Sequence, residues 1–550
     1  MTEPLNANSN GAPLAEEVPA GRRMGLRREL GLLALVAAAV CTVIGGGINV
    51  LSVEVQDKVP GVGSLVPIAF MIGVTPALFA ALAYAILASA MPRAGGGYIY
   101  ASRALHPFPG FLATWSKWFG LSSCIGVIAY IDVSLLRDAA RMWGLEGAAE
   151  VLDTSVGTLW VPLIMVWAFW FINILGMRTF GATVIALMIF MLLGGACIIV
   201  TGFVHNQSDF VRVMAEESRA VDVDSIVRAS TLEKGGLSTL IITMPFLFFA
   251  YIGFATISQA GGEAREATRN LPRAFVIATL IIAGYYVLYS WAVYHAVPWQ
   301  YIAHEVATSE TRVTAPFLIG HLMPWWLAGF VALTAGVALA NDIPPMLMAV
   351  SRLFFSWARD GIFPRRLAAV NARFGTPHWA LTLCALVATG VIIECHVHPD
   401  TGFFTGVELV NMALLFTYML IGLSVITFPY RNPELYRRVV FIRNRKAQVV
   451  IGLICILSIG ALLGTQIQID VKAAADRYST LAQETTALKA LGVSLYGSGT
   501  AIWVLMLAIG AIIYAVMWNA RRARGEDLAP VFKTLPEEVV EEGPRAEILE

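Results

Sequence analysis

"VIGGGINV" (residues 43–50) places three consecutive glycines inside an apolar run that extends from Leu32 to Val55. Glycine in a helix interior costs about 1 kcal/mol relative to alanine, so the triplet predicts an unwound turn in the middle of an apolar helix. At membrane depth, unwound backbone is tolerated only where it is buried in protein or lines a cavity. Small residues also let two membrane helices pack closely. The rest of the chain has to decide between these two uses.

The 550 residues are 57% hydrophobic and only 14% charged, with a mean hydropathy of +0.69. Soluble domains carry about 25% charged residues, so the composition predicts a polytopic membrane protein. Lys+Arg and Asp+Glu are both 38, so net charge selects no partner. Phosphate-cradling and nucleic-acid-binding motifs are absent. The six cysteines (Cys41, Cys124, Cys197, Cys384, Cys395, Cys455) fall in or beside apolar runs without metal-ligand spacing, which argues against a disulfide framework or a zinc site. The first 30 residues are polar and basic, with no separate apolar core and cleavage site, so the first apolar segment is read as a retained span.

A span needs roughly 20 apolar residues. Qualifying runs begin near residues 31, 65, 108, 159, 180, 238, 273, 324, 377, 403, 447 and 500, twelve in all. An even count puts both termini on one side. That side then holds 26 of the 38 Lys+Arg residues and the opposite side 11, with Lys117 inside a span. The asymmetry makes the termini cytoplasmic. Trp160, Trp299, Trp325, Trp326, Trp379 and Trp518 fall near span ends, as an interfacial aromatic belt requires. Short helices are expected in the outer stretches 205–236 and 473–491.

The sixth run, "TMPFLFFAYIGFATISQAGG" (243–262), repeats the interruption with Pro245 and Gly253. Spans one and six cross in opposite directions, and interrupted spans at matching positions of two inverted halves point to a transporter's binding site. A half-helix N-terminus offers N–H groups and positive dipole to an anion, and the free carbonyls of the other half attract a cation. A zwitterion such as an amino acid satisfies both.

With both interruptions in hand, four stretches resemble the amino acid–polyamine–organocation superfamily, in its amino-acid permease branch: "VIGGGIN" (43–49), "MPRAGGGYIYASRALHP" (91–107), "FAYIGFATISQAGGEAREATRNLPRA" (249–274) and "SRLFFSWARDGIFPRRLAAVNARFGTPHWAL" (351–381). The resemblance covers roughly residues 30–430. It implies an all-α integral membrane protein of 12 transmembrane helices: an inverted 5+5 repeat plus two C-terminal helices, working by alternating access. The divisions expected are a cytoplasmic tail (1–30), a first five-span repeat (31–205), an extracytoplasmic loop (206–237) and a second repeat (238–430). Spans 11–12 with their loops (431–520) and an acidic cytoplasmic tail (521–550) follow. By the same resemblance, Gly45, Gly46, Gly47 and Ile48 would hold the substrate carboxylate. Carbonyls around Phe249, Ala250 and Ile252, beside Gly253, would receive the ammonium, and Phe249 or Tyr251 would close over it. Tyr251 has a second reading as a packing aromatic. The "PRAGGGY" and "ARDG" elements would stabilise the inward gate.

Relatives linked to protons often carry a lysine in span five; here "FGATVIALMIFMLLGGACIIVTG" (180–202) has no ionisable residue. Span eight offers a substitute in "GVALANDIPPMLMAVSR" (336–352). An acid at a helix centre costs roughly 2.5–3.5 kcal/mol on insertion scales, so Asp342 needs a partner or a role. Pro344 and Pro345 cannot donate to the carbonyls of Ala340 and Asn341. Asn341 and Asp342 therefore form a candidate seat for a coupling cation or a substrate amine; pairing of Asp342 with Lys117 at a packing bend is the alternative. Asn49 either touches substrate or caps the broken helix. Asp132, Glu54 and Glu408 are expected near outer span ends, in reach of water, and "HVHP" (396–399) as a loop without further metal ligands.

The expectation is a secondary transporter of an amino acid or related amine in the plasma membrane. Its partners would be the solute, the lipid bilayer and a coupling proton or sodium ion, with no cofactor and no nucleic acid. A polyamine or inorganic-cation carrier on the same scaffold and a non-transporting nutrient sensor are the alternatives. An enzyme is not expected, because no convergent His/Asp or Ser/His set occurs in the spans.

Overall fold

The computed structural model describes residues 26–536, apart from 46, 217–221, 231, 233–234, 310–312, 485, 527 and 529; for 399–407, 484, 487 and 488 it describes the backbone only. In chain order the main helices are α1 (Leu32–Cys41), α2 (Ser52–Lys58), α3 (Val66–Ala90), α4 (Gly96–Ala104) and α5 (Pro107–Met142). Next come α6 (Ser155–Ile174), α7 (Met177–Val204), α8 (Leu237–Phe248), α9 (Ala267–Ala296), α10 (Trp325–Ala340) and α11 (Ile343–Arg359). The last four are α12 (His378–Val397), α13 (Pro399–Arg431), α14 (Arg445–Glu484) and α15 (Gly499–Ala523). Among the described residues the only β pairing is two isolated bridges, Leu30 with Ala264 and Ala94 with Ala260.

Ten helical segments are long and apolar enough to cross a membrane, with α10 and α11 acting as one segment, Trp325–Arg359. The apolar α1 and α8 are shorter because each runs into an interruption. Their outer surfaces confirm the solvent: Leu193, Val200, Leu288, Leu386, Leu457 and Ile512 are all exposed, a distribution that water would penalise and lipid does not. Trp160, Trp325 and Trp379 lie exposed within one turn of a helix end or half-way along the first two turns. The chain is an integral, multi-pass membrane protein.

Local chemistry sets the helix ends. Thr154 caps α6 by accepting from the Gly157 amide, and Ser498 caps α15 by accepting from Ala501. Gly176, at φ +110°, lets α6 and α7 turn back on one another in a link that no side chain would adopt easily. The 36 residues of α5 run about 54 Å at 1.5 Å per residue, longer than the hydrocarbon layer.

Packing is built around α5, which contacts α10, α12 and α13, while α9 lies along α3. The outer stretches do carry short helices, Gln207–Glu216, Val223–Ala229 and Ala487–Tyr496. One difference is that residues 473–484 continue α14 without a stop, since no glycine or proline interrupts them.

Candidate functional site

Three interruptions meet at one point, and glycines make the meeting possible. After Cys41 the chain leaves the helix and resumes as a single wide π-type turn, Gly47–Leu51, before α2. After α8 a 3₁₀ turn, Phe249–Tyr251, leads through Ile252 and Gly253 into a second one, Phe254–Gln259. A Cβ on Gly47 would lie 2.7 Å from the Ala250 Cα. A Cβ on Gly253, whose φ is +129°, would collide with the Thr42 carbonyl. Across the same contact, the Thr42 and Thr256 hydroxyls are 3.1 Å apart. A Cβ on Gly45 would lie 2.5 Å from Asp342 Oδ2, so the third interruption, between α10 and α11, presses its carboxylate against the first. Gly46 lies outside the described residues.

A tyrosine that the sequence reading missed ties two of these breaks. Tyr286 Oη lies within hydrogen-bonding range of the Ala250 carbonyl, at 2.8 Å, and of the Val43 carbonyl, which share its single proton. Its neighbour one turn on, Tyr289, donates to Asn49 Oδ1 at 2.7 Å, and Asn49 Nδ2 donates to the Gly45 carbonyl at 3.0 Å. Asn49 thus holds the break from within. The available signal was "YYVLY" (285–289), tyrosines at helical spacing in an otherwise apolar span.

The breaks wall a cavity of roughly 700 Å³, its mouth included. Gly47, Phe249, Ala250 and Ile252 line it, as do Val50 and Leu51 from the far side of the first break. Ile128, Ile131, Leu339 and Met346 complete a largely apolar wall, and Asp342 is the charged residue in it. Ile48 is buried in the core. Tyr251 donates to the Phe70 carbonyl at 2.8 Å and packs edge-on against Phe70 and Tyr286, which places it behind the lining.

Asp342 is 5% exposed, and its Oδ1 has no hydrogen-bond partner among the described residues. Asn341 is fully buried beside Cys41, with neither polar atom of its amide in hydrogen-bonding geometry. The pairing of Asp342 with Lys117 does not form: Lys117 Nζ donates to the Ala255 carbonyl at 3.3 Å and faces the Tyr84 ring. Lys117 thus ties α5 to the segment after the second break, as Tyr418 does from α13, its hydroxyl accepting from the Gly253 amide at 3.3 Å.

Two expectations are corrected. Asp132 and Glu54 do not reach water but are buried, Asp132 completely. The cause is length: α5 continues to Met142, so Asp132 lies well inside the helix. "HVHP" is not a loop: His396 and Val397 end α12 and Pro399 begins α13, and the His396 ring nitrogens lie 3.2 and 3.3 Å from the Ser155 and Thr158 hydroxyls.

Toward the face carrying the chain's first described residues, two buried ion pairs lock the loops. Arg352 forks onto both oxygens of Glu263, at 2.6 and 3.1 Å, just after the second break. Arg103 of α4 forks onto both oxygens of Asp360, at 2.6 and 3.0 Å, and Tyr98 donates to the same carboxylate at 2.6 Å. Burial opposes charge on Arg103, but the Asp360 carboxylate more than offsets it and holds the guanidinium above its ordinary range. For Tyr98, burial and then the same carboxylate keep the phenol well above its ordinary range, so it stays a donor. Tyr98 ends the "PRAGGGY" element and Asp360 belongs to "ARDG", so the second pair joins the two, with Arg103 five residues beyond the first.

An apolar cavity walled by interrupted membrane helices, with one acid inside it, defines a carrier of small solutes. An amino acid permease family model matches residues 30–477, and the chain belongs to that family, one of permeases and not of enzymes. It is 26% identical over 389 residues to an uncharacterized transporter of Mycobacterium tuberculosis, covering 71% of this chain and 79% of the relative. It is 24% identical over 439 residues to the branched-chain amino acid permease of Bacillus subtilis, covering 75% and 83%. Against a vacuolar cationic amino acid transporter of Arabidopsis thaliana the identity is 25% over 428 residues, covering 74% and 64%. The protein is a membrane transporter of the amino acid type.

Proposed function

We propose that the protein is a secondary transporter in the plasma membrane that moves an amino acid or related amine by alternating access. The carrying observation is the convergence of three interruptions on one cavity. In this reading the solute's carboxylate is held by the backbone of Gly45–Ile48, its ammonium by carbonyls of Phe249–Gly253 and by Asp342, and its side chain by the apolar wall. When no ammonium occupies it, Asp342 with Asn341 is the seat of the coupling cation. Support comes from chemistry: a glycine break bares N–H groups for an anion, and an apolar wall favours a hydrocarbon side chain.

The proposal includes twelve spans with both termini cytoplasmic, residues 31–205 and 238–430 forming inverted repeats. In its favour, helices at matching positions of the two halves pack against each other: α3 with α9, α5 with α10 and α6 with α12. The buried ion pairs and the Lys117–Ala255 contact support a conformation closed toward the cytoplasm, and alternating access requires them to part.

The test is exchange in proteoliposomes, with labelled α-amino acids and alkylamines followed by mass spectrometry. One or a few α-amino acids should enter, with affinity reduced at least tenfold in Asp342→Asn. Entry of amines lacking a carboxylate, uncompeted by carboxylate analogues, would favour the polyamine or cation carrier; no entry of any solute into vesicles of folded protein would favour the sensor.

A further inference from the structure

The cavity acid stands in unusual company. Among the described residues, no lysine, arginine or histidine lines the cavity with Asp342; the other ionisable side chain in its wall is the Cys124 thiol. Asp132 is fully buried, neither of its oxygens has a hydrogen-bond partner among the described residues, and Oδ1 lies 3.4 Å from where a Gly336 Cβ would be. Gly336 precedes Asp342 by six residues, about 9 Å along a helix. Two ionised carboxylates at that separation repel by an amount equal to about a 20-fold shift in equilibrium at an effective dielectric of 20.

The titratable groups on the surrounding elements do not relieve this. Residues 325–340 of α10 and all of α6 carry none. On α5 itself, Lys117 is committed to Ala255, while Arg137 and Arg141 pair with Asp138 and Asp153 at the far end. On α12 the candidates are His378, Cys384, Glu394, Cys395 and His396, and on α13 Asp400, Glu408, Tyr418, Tyr430 and Arg431; among the described side chains, none of them lines the cavity with Asp342. On α11, Arg352 is held by Glu263, and Arg359 is exposed at the helix end, as Arg431 is on α13.

An unpaired charge in this setting is costly, so the occupancies that let the cavity close are the neutral ones. For Asp342 there are two: a carboxyl carrying a proton, or a carboxylate carrying the solute's ammonium. Resting on the function proposed above, we propose that a proton and the solute's ammonium compete for Asp342, which makes the protein a proton/amine antiporter. When an ammonium binds, the Asp342 O–H bond breaks and its proton leaves to the solution on that side. When the ammonium departs on the other side, a proton from that solution replaces it. Each binding step balances, one proton released per ammonium bound, and no further ion is required. The exchange is electroneutral for a simple amine and carries one positive charge inward per α-amino acid, whose own carboxylate is held by the N–H groups of the first break. Asp132 keeps its own proton and faces α10 behind Ile128 and Ile131, where a solute amine does not reach it. With protons more concentrated outside, the cycle drives amines outward.

Proteoliposomes loaded with a mixture of labelled α-amino acids and alkylamines, together with a trapped pH dye, test this directly. Acidifying the outside by one unit should speed efflux of the carried solute above protein-free vesicles and acidify the lumen by one proton per molecule lost. Apparent affinity should fall up to tenfold per unit as pH drops, as competition for one site requires. Asp342→Asn should abolish the proton movement and flatten the pH profile. Asp132→Asn should keep exchange and leave the pH midpoint unchanged, because a carboxyl that keeps its proton carries no charge to remove. Uptake driven by external acid, or efflux of wild-type protein without proton movement, would overturn the antiport; a sodium requirement would do the same. Absence of any solute flux would instead overturn the transport reading on which it rests.

Discussion

Single atoms decide whether the breaks can meet. Gly253 combines a φ of +129° with a Thr42 carbonyl where a Cβ would go. Gly253→Ala should therefore cost about 2–4 kcal/mol, combining backbone strain with overpacking, read as a lower melting temperature in detergent with uptake lost. Tyr286→Phe removes the one proton that two buried carbonyls share, a penalty of about 1–3 kcal/mol for the donor lost. Its expected signature is a rise in solute Kd with expression unchanged; an unaltered Kd would show that the hydroxyl does not shape the site. Of these two residues, Gly253 was legible in the sequence because glycine announces backbone conformation. Tyr286 was not, because a tyrosine in an apolar span carries no sign of which carbonyl it reaches.

At the scale of elements, interruptions rather than helices carry the function, and each needs something to hold its loose end. The segment after the second break is held by the buried Arg352–Glu263 fork and by backbone bonds in which Glu29 and Leu30 donate to the Glu263 carbonyl, both at 2.9 Å. Removing one partner of such a pair leaves an uncompensated buried charge, worth about 3–5 kcal/mol, while replacing both with apolar residues is often close to neutral. Arg352→Met should thus be far less stable than the Arg352→Met/Glu263→Leu double variant, as thermal denaturation would show. Equal losses would mean that the fork has no coupling energy. Helix identities were readable from apolar runs, and the ten long spanning segments begin within a few residues of one, whereas the starts of α2, α4 and α11 had no run to announce them. Helix ends were less so: nothing in "YIDVSLLRDAARM" (130–142) marks a stop, and reading α5 too short is what put Asp132 in water.

Across the whole molecule, the last described residues strap the cytoplasm-assigned face together. Arg103 donates to the Val531 and Thr534 carbonyls at 3.2 and 3.3 Å, Asn432 to Lys533 at 2.9 Å and Arg93 to Pro536 at 3.2 Å. The strap therefore joins α4, the end of α13 and the Asp360 loop. Deleting residues 530–550 should lower stability by about 1–3 kcal/mol, the range for hydrogen bonds to charged groups, and leave the Arg103–Asp360 fork in place. Arg103→Ala should cost more, about 3–5 kcal/mol, because it strands a buried carboxylate. If melting curves reverse that order, the strap and not the fork holds this face.

By itself the sequence determined the solvent, the apolar segments and the places where they break. These follow from local terms: hydropathy summed over about 20 residues, the helix cost of glycine and proline, and family motifs carried on contiguous residues. It could not determine that Gly45 would rest on Asp342, 297 positions later, or that Asp132 would face Gly336 without a partner. Those outcomes depend on how long helices cross and which carbonyls fall within hydrogen-bond range, and burial by distant segments leaves no mark in the local pattern. The tertiary structure alone made an apolar chamber around a single acid.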